Sequence, residues 1–387
     1  MMPLHIEELL QRCRDHDASD LHCTVGAPPL MRKRGGLVPM GDEVLDPEMT
    51  EHLAMEILTQ RQMDVLRERR SIDLATSIDG IGRFRINVYH QRGSISIAIR
   101  RLADEILDFH ELGLPPIVST FADLPNGLVL VTGVTGSGKS TTLATIIDRI
   151  NRGRQHNIIT IEDPIEYRHE NRQSIVNQRE LHTDVLSFAD ALREALRQDP
   201  DVIMVGEMRD LETTRTAIMA AETGHLVFST LHSRDAVASV NRMVGQFSAA
   251  EQAQVRSQLA GALKAVVSQQ LLPKANGLGR VPAVEVMTVT PGIGNLLRQG
   301  KEEQIYSAIE TGTADGMQTM EQHLLRLATA GAIDPETAAE RARNPRDFRE
   351  RLAAQEASQA TGNGDGNHGR SATQRFKRMM QRGRDAR

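Results

Sequence analysis

The segment Gly133–Thr141 constrains the fold more than any other part of the chain. Its sequence, GVTGSGKST, satisfies the pattern G-x-x-x-x-G-K-[ST] and directly follows the apolar run Leu128–Val131. A helical pattern over Thr142–Ile150 comes next, so the sequence predicts a strand, a glycine-rich turn and a helix in that order. The N–H groups of such a turn and the positive end of the helix dipole together favour an anion. A chance glycine-rich turn is the alternative, and the strand and helix around the motif make it the weaker one.

The residue types of this loop indicate which anion it binds. Glycines allow the backbone to close on a phosphate group, and Lys139 can reach the terminal phosphates of a nucleotide as a point charge. The Ser140 hydroxyl can ligate a Mg²⁺ ion that bridges those phosphates. The sequence therefore predicts a site for a nucleoside triphosphate with Mg²⁺. The expected binding residues are Gly133, Thr135, Gly136, Ser137, Gly138, Lys139, Ser140 and Thr141.

Two groups of acidic residues follow apolar runs further along the chain. Glu162, Asp163 and Glu166 come after the strand candidate Ile158–Ile161, and Glu207 comes after four apolar residues and a glycine. Ligands bind at the carboxyl ends of parallel strands, so we expect these acids at the edge that carries the loop. Glu207 is expected to orient or deprotonate the attacking water, and Glu162 and Asp163 to act on the metal ion or its waters. The residues expected to meet the metal ion are Ser140, Glu162 and Glu207.

An acid at the end of a strand can also be a solvated turn or a helix cap. The same ambiguity holds for His225 and His232, which bracket the apolar run Leu226–Leu231. No cysteine lies near them, so metal ligation is not expected. A neutral imidazole near the γ-phosphate could sense hydrolysis by exchanging hydrogen-bond partners, and a structural histidine at a strand end is the equal alternative.

The pattern of apolar residues divides the chain into two domains of an α/β protein. Residues 1–112 are expected to form a small α+β domain, because a helical start at Leu4–Cys13 precedes the alternating runs Arg83–Val88 and Ser94–Ile99. The turn residues Gln91–Gly93 between these runs predict an antiparallel hairpin.

Residues 117–350 are expected to form the second domain, because continuous apolar strands separated by helices are typical of a parallel sheet buried on both faces. From residue 236 onward the pattern is helical, and the spacing of Leu259, Leu263 and Val266 predicts one helix that Pro273 ends. Residues 351–387 are expected to be a disordered basic tail. The strand candidates of this domain are Leu128–Thr132, Ile158–Ile161, Val202–Val205 and Leu226–Ser229.

Composition excludes several classes of protein. A net charge of −5 and the absence of Trp argue against a nucleic-acid partner, since neither an overall basic footprint nor many stacking platforms are present. The two cysteines, Cys13 and Cys23, imply no disulfide framework and favour a reducing compartment. No apolar run approaches the length needed to span a bilayer. We therefore expect a cytoplasmic protein.

Four segments, in this order along the chain, resemble the secretion-superfamily ATPases. Within that superfamily they resemble the PilT-like (retraction) ATPases of type IV pili. They are the loop Gly133–Thr141, the acidic box Ile161–Glu166, the segment Gly206–Asp210, and the histidine box Glu222–His232. The resemblance extends over about residues 4–350. Further segments that carry it are Ser19–His22, Gly82–Arg85, Gln269–Pro273 and Gly316–Met320.

The resemblance implies a PAS-like N-terminal domain, a RecA-like ATPase domain and a homo-hexameric ring that hydrolyses ATP to retract a pilus. It also implies a platform protein of the inner membrane as partner, with the ATPase at the cytoplasmic face and attached to the membrane only through that partner. Glu207 is by resemblance the catalytic carboxylate, Glu162, Asp163 and Glu166 belong to the acidic box, and His225 and His232 to the histidine box. Arg83, Arg85 and Arg100 are the implied arginines that complete the site when the ring closes.

Three positions depart from the family pattern. Asn126 stands just before the loop strand where relatives commonly carry arginine, so one positive contact is expected to be missing. In Gly292–Gln299, which resembles a segment associated with retraction, Gly294 replaces an arginine and Gln299 a glutamate. Hydrolysis is therefore better supported than the direction of pilus movement.

Other functions remain open on the sequence alone. Assembly ATPases of the superfamily usually carry a four-cysteine zinc motif, which a chain with two cysteines lacks. An accessory retraction motor would share the same boxes. A nucleic-acid translocase built on the same ring, or a regulator that binds ATP without hydrolysing it, are the alternatives from other classes.

Overall fold

The computed structural model describes residues 4–33, 35–102 and 105–362. The chain divides into two units. The first contains Met1–Ile106 with Ile161–Glu170 and Gln178–Ser187, and the second contains the remaining segments from Leu107 onward. The division falls before the expected end of the first domain at residue 112, because Phe109, Leu112 and Leu114 pack in the core of the second unit.

The first unit is built on a six-stranded antiparallel sheet in the order β3-β2-β1-β6-β5-β4. The predicted hairpin is confirmed as β5 and β6, joined by a turn at which Arg92 and Gly93 have positive φ. Alternate strand residues such as Phe84, Ile86 and Ile99 are buried with the apolar faces of the helices. The elements are α1 (Ile6–Asp15), β1 (Asp20–Cys23), β2 (Leu30–Lys33), β3 (Gly36–Pro39), α2 (Pro47–Ile57), α3 (Gln60–Arg69), β4 (Ser71–Ile78), β5 (Gly82–Gln91) and β6 (Ser94–Arg101).

The second unit is built on a seven-stranded sheet in the order β13-β12-β7-β11-β10-β8-β9. The four predicted strands are confirmed as β7, β8, β10 and β11, and the parallel pairs β7–β11 and β10–β11 form the centre of the sheet. In chain order, the helices and strands up to α9 are α4 (Pro116–Thr120), β7 (Gly127–Thr132), α5 (Lys139–Gly153), β8 (Asn157–Glu162), β9 (Ile175–Glu180), α6 (Phe188–Ala195), β10 (Val202–Val205), α7 (Leu211–Glu222), β11 (Leu226–Leu231), α8 (Ala236–Gly245) and α9 (Gln252–Ala262).

The region after α9 differs from the prediction. The helix predicted through Val266 is wrong, because α9 ends at Ala262 and the next residues form a long strand, β12 (Leu263–Pro273). β12 lies between β7 and a second new strand, β13 (Arg280–Thr288), and is buried on both faces along most of its length. Apolar residues on both faces of a strand lose the alternation that identifies it in a sequence, and here they matched helical spacing by chance.

The helices that follow β13 lie at the C-terminal end of the described chain. They are α10 (Pro291–Gln299), α11 (Ile305–Thr311), α12 (Met320–Thr329), α13 (Pro335–Arg341) and α14 (Pro345–Gly362). The prediction of disorder from residue 351 is wrong for 351–362, because Phe348 and Leu352 bury the first turns of α14 in a cluster with α12 and α13. The rest of the predicted tail, 363–387, lies outside the described residues. Within the described ranges, neither α14 nor any other helix is long and apolar enough to cross a membrane.

Glu285 of β13 is a buried acid whose ionisation we expect to affect stability. Its side chain accepts a hydrogen bond from the backbone N–H of Ala236 at 2.9 Å, and burial raises the pKa of its carboxyl to about 7. A raised pKa means that the folded state holds the proton more tightly than the unfolded state, so stability falls as pH rises from about 4.5 to about 7.

We expect Glu285→Gln to remove this dependence, because glutamine keeps an acceptor oxygen and cannot ionise. Urea unfolding of both proteins should show the variant gaining relative stability, by a few kcal/mol at most, between pH 4.5 and 7.5. If the difference in free energy of unfolding between the two proteins stays constant across this pH range, the raised pKa of Glu285 would be contradicted.

Candidate functional site

The phosphate loop is held between the central strands and α5. Gly133 follows β7 with φ 147°, and a Cβ there would lie 2.4 Å from the carbonyl oxygen of Gln269 and 2.4 Å from Ser137 Oγ. Gly136 and Gly138 also have positive φ, and Gly138 is the N-cap of α5. Only glycine adopts these backbone conformations without strain. The predicted strand–loop–helix order is therefore confirmed, with its glycines at the positions where the backbone needs them.

Lys139 and Ser137 provide buried polar groups to the loop. Lys139 Nζ donates hydrogen bonds to the carbonyl oxygens of Gly133 at 3.0 Å and Val134 at 3.2 Å. Ser137 Oγ is buried and has no hydrogen-bond partner among the described residues. A buried hydroxyl costs free energy unless a partner satisfies it, and a phosphate oxygen is such a partner. The loop therefore fits the polyphosphate of a nucleotide, with Ser140 at the first turn of α5.

Glu207 lies at the carboxyl end of β10, the strand next but one to the loop strand. Two side chains hold its carboxylate, since Arg209 Nε donates to Oε2 at 2.8 Å and His232 Nε2 lies 3.3 Å from Oε1. The hydroxyl of Thr230 donates to the carbonyl oxygen of Gly206 at 2.6 Å and ties the end of β10 to β11. The structure thus brings Glu207 and His232 together at the carboxyl edge of the sheet, and the roles of both in catalysis stay predictions.

Gln269 of β12 belongs to this site, and the sequence analysis did not assign it a role. Its carbonyl oxygen limits the space at Gly133, and its Nε2 donates to Thr142 Oγ1 of α5 at 2.9 Å. Leu271 of the same strand packs against Gly138. Gln269 was missed because its segment was predicted to be helical, and its burial is decided by the tertiary structure. The sequence signal that could have found it is the segment Gln269–Pro273, which carries the family resemblance.

His225 lies at the opposite edge of the sheet. It precedes β11, and the register pairs Leu226 with Gly127 at one end and Leu231 with Thr132 at the other. The length of these strands separates His225 from the loop edge by roughly 20 Å at about 3.3 Å per residue. Its ring Nδ1 contacts the carbonyl oxygen of Ala220 at 3.0 Å instead. The prediction that His225 acts at the phosphate site is contradicted within one subunit, because the strand carries it away.

Asn126 lies at the same amino edge, directly before β7. Asn126 is therefore not beside the phosphate loop of its own subunit, and the expected loss of a positive contact stays a prediction. Asn126 and His225 each precede a strand whose opposite, carboxyl end forms the site. Their nearness in sequence to site residues therefore does not place them at the site.

The acidic box belongs to the first unit. Glu162 is buried, and its Oε1 accepts a hydrogen bond from Gln178 Nε2 at 3.1 Å. Arg83 of β5 holds the same segment: its Nε donates to the carbonyl oxygen of Ile165 at 2.9 Å and its Nη2 pairs with Glu180 at 3.2 Å. Arg83 is thus engaged within its own unit. The roles of Glu162, Asp163 and Glu166 toward the phosphate loop stay predictions.

Arg85 and Arg100 stand directly opposite each other on β5 and β6, and both are exposed. Like charges at such positions repel, and Asp20 of β1 offsets the repulsion by accepting from Arg100 Nε at 2.8 Å. Burial alone would raise the pKa of the Asp20 carboxyl, but hydrogen bonds from Arg100 and Ser19 hold it below its ordinary value. Arg85 and Arg100 therefore remain candidates for contact with another subunit.

A glycine-rich loop between a parallel strand and a helix, with a carboxylate held at the end of a neighbouring strand, defines a P-loop nucleoside triphosphatase. Residues 71–357 match a family model described as Type II/IV secretion system protein. The chain is 46% identical over 345 residues to the type IV pilus retraction ATPase PilT of Pseudomonas aeruginosa, covering 89% of this chain and 100% of that protein.

Further comparisons agree in sequence and in structure. The chain is 44% identical over 316 residues to a twitching motility protein of Neisseria gonorrhoeae, covering 82% of this chain and 84% of that one. The crystal structure of the pilus retraction motor PilT with bound ADP matches with a TM-score of 0.84 at 47% identity, covering 90% of this chain and 99% of that chain. The chain belongs to the type II/IV secretion system protein family, and within it to the PilT-like retraction ATPases of type IV pili.

We expect Gly133→Ala to disable the phosphate loop, because the added Cβ would meet the Gln269 carbonyl oxygen and Ser137 at 2.4 Å. Gly153→Ala is the matched control, since a Cβ there meets nothing within 4 Å. Fluorescent-nucleotide binding should fall at least tenfold in the first variant and stay unchanged in the second. Equal affinity of the two variants would show that the loop tolerates a side chain at 133.

Proposed function

We propose that this chain hydrolyses ATP and uses the free energy to retract type IV pili, the activity that underlies twitching motility. The observation that carries the proposal is the placement of the Gly133–Thr141 loop and Glu207 at the carboxyl ends of parallel strands in one sheet. The 46% identity to PilT along nearly the whole chain supports the coupling to pili. Nucleotide binding is supported by the PilT structure with bound ADP.

The chemistry follows from the positions of the side chains. Loop N–H groups and Lys139 would bind the β- and γ-phosphates of ATP. Glu207 would accept a hydrogen bond from a water molecule and orient it toward the γ-phosphorus. As the water oxygen bonds to that phosphorus, the bond from the phosphorus to the oxygen that bridges it to ADP breaks, and the proton that the water loses passes through Glu207 to the phosphate. Arg209 and His232 hold the Glu207 carboxylate in position for this step. Phosphate and ADP are the products.

The oxygen donors at this edge suit Mg²⁺, which prefers hydroxyl, carboxylate and water ligands. Ser140 would ligate it directly, and Glu207 would hold it directly or through water. When bound, Mg²⁺ neutralises charge that develops on the phosphates. Arg209 and His232 keep the Glu207 carboxylate in place whether or not that ion is bound.

We further propose a homo-hexameric ring at the cytoplasmic face of the inner membrane, attached through a platform protein and without a nucleic-acid partner. The exposed pair Arg85 and Arg100 supports contact between subunits, since their row of the sheet also holds Arg32, and one carboxylate, Asp20, pairs with both Arg100 and Arg32. An arginine that reaches a neighbour's phosphates only in the closed ring would couple hydrolysis to subunit movement. Arg83 is less suited to this role because it holds Ile165 and Glu180.

The helix α10 bears on the direction of pilus movement. Gly294 is buried on the side of α10 that meets α9, and a Cβ there would lie 3.4 Å from the carbonyl oxygen of Ala260. Gln299 is exposed at the end of the helix. The absence of an arginine side chain at 294 therefore fits the close packing of these two helices. An accessory retraction motor is the alternative that the family pattern leaves open.

We expect Glu207→Gln to lower ATP turnover by about 10²–10⁴-fold with nucleotide binding retained, because glutamine keeps the shape and loses the charge. Phosphate release and fluorescent-nucleotide binding, measured on the same preparation, separate the two effects. Glu212→Gln is the matched control, since it makes the same chemical change at a more exposed carboxylate on α7. A variant at 207 that turns over ATP normally would remove Glu207 from the mechanism.

Cells that lack this gene should carry more surface pili than the parent and should not twitch. The wild-type gene should restore twitching, and the Glu207→Gln gene should not. Bald cells would instead indicate an assembly motor. Retained twitching that weakens only under load would indicate an accessory one.

A further inference from the structure

A second group of metal-ligating side chains lies in the first unit and involves neither the loop nor Glu207. His5, His52 and Glu56 present one donor atom each, and the three atoms lie within 4.8 Å of one another. His5 is the residue before α1, and His52 and Glu56 are four positions apart on one face of α2. The cluster therefore joins two helices that are distant in sequence.

The distances suit a small tetrahedral ion. His5 Nδ1 lies 2.6 Å from Glu56 Oε1, and His52 Nε2 lies 3.3 Å from the same oxygen. Around a tetrahedral Zn²⁺ ion, with bonds of about 2.0–2.1 Å, neighbouring donor atoms lie about 3.3 Å apart. Of the three pairs of donor atoms, the one between His52 and Glu56 already has this spacing. The two pairs that include His5 need a small rotation of its ring, whose side chain is 48% exposed, and the nitrogens of His5 and His52 already lie within 4.8 Å of each other.

The carboxylate of Glu56 is held in a fixed orientation. Its Oε2 accepts a hydrogen bond from the backbone N–H of Ile6 at 2.8 Å, which leaves Oε1 facing the two imidazoles. A hydrogen bond to the second oxygen of a ligating carboxylate is the kind of support that metal sites commonly have. Glu56 is also the least exposed of the three side chains.

The two histidines are placed in ways that local structure does not require. His5 occupies the N-cap of α1, where Ser, Thr, Asp or Asn is preferred, and its side chain makes no capping hydrogen bond. His52 Nε2 is buried and has no hydrogen-bond partner among the described residues, although Glu56 Oε1 is near. An imidazole nitrogen in this position costs free energy that a metal bond would recover.

We propose that His5, His52 and Glu56 form a Zn²⁺ site with water as the fourth ligand. Two imidazoles and one carboxylate are a ligand set that Zn²⁺ accepts and Mg²⁺ does not favour. The ion would fasten the start of α1 to α2 and so stabilise the first unit. The inference does not depend on ATP hydrolysis.

The cysteines of the same unit do not compete for the ion. Burial raises the pKa of Cys13 to about 11 and that of Cys23 to about 12, so both are protonated thiols at neutral pH. Zinc binds the thiolate and not the thiol.

The test uses the full chain without a histidine tag, stripped of metal and kept in excess Mg²⁺ so that oxygen-rich sites are occupied. Co²⁺ serves as the spectroscopic probe. One equivalent should produce the visible absorption of four-coordinate Co²⁺, and Zn²⁺ should abolish it by displacement. The midpoint of thermal unfolding should rise with Zn²⁺ concentration.

His5→Ala and His52→Ala should each weaken binding by at least about 10–100-fold, because loss of a direct ligand exceeds the loss of a supporting partner. His16→Ala, an exposed histidine in the same unit, is the matched control and should bind as the wild type does. The wild-type titration does not depend on the folding of any variant. Absence of the Co²⁺ spectrum, or a spectrum that His52→Ala leaves unchanged, would overturn the proposal and leave the cluster as a histidine–glutamate ion pair.

Discussion

The close approach of Gly133 to β12 is the constraint on which the functional site depends. The backbone leaves the central strand β7 at a point where the Gln269 carbonyl oxygen and Ser137 leave no space for a side chain. The turn that results delivers the chain into α5 with its N-terminus and Lys139 at the sheet edge. Because β7 is parallel to β11, and β11 to β10, the same edge receives His232 and Glu207. A loop at any other strand would not have these neighbours.

Charge is distributed unevenly around this framework. Arg209 and His232 hold the carboxylate of Glu207 in a largely buried position. Arg83 is half-buried, and it donates hydrogen bonds to Ile165, Glu180 and Ser77 of its own unit. Arg85 and Arg100, by contrast, are exposed, and Asp20, which pairs with Arg100, also pairs with Arg32. Exposed cations of this kind suit the proposed contact with a neighbouring subunit.

Most of the site could be predicted because its residues sit at the ends of predicted strands. His232 follows the apolar run of β11 directly and Glu207 follows that of β10 after one glycine, so both lie at the edge where these parallel strands end. The rule fails for His225 and Asn126, which precede their strands and so lie at the other edge. Whether a residue precedes or follows its strand, and not its distance in sequence from the loop, separates Glu207 and His232 from His225 and Asn126.

The sequence by itself determined the local elements: the loop with its glycines, the strands around it, and the hairpin of β5 and β6. Each of these has a pattern within a few residues, because turn geometry and the alternation of a half-buried strand are local properties. Only the tertiary structure decided that Leu263–Pro273 is a strand and that Gln269 supports the loop. It likewise decided that Arg83 belongs with Ile165 and Glu180, and that His5 meets Glu56. In each of these cases the residue's contact partner is far along the chain. A contact between residues so far apart leaves no periodic signal in the sequence, and neither does a strand that is buried on both faces.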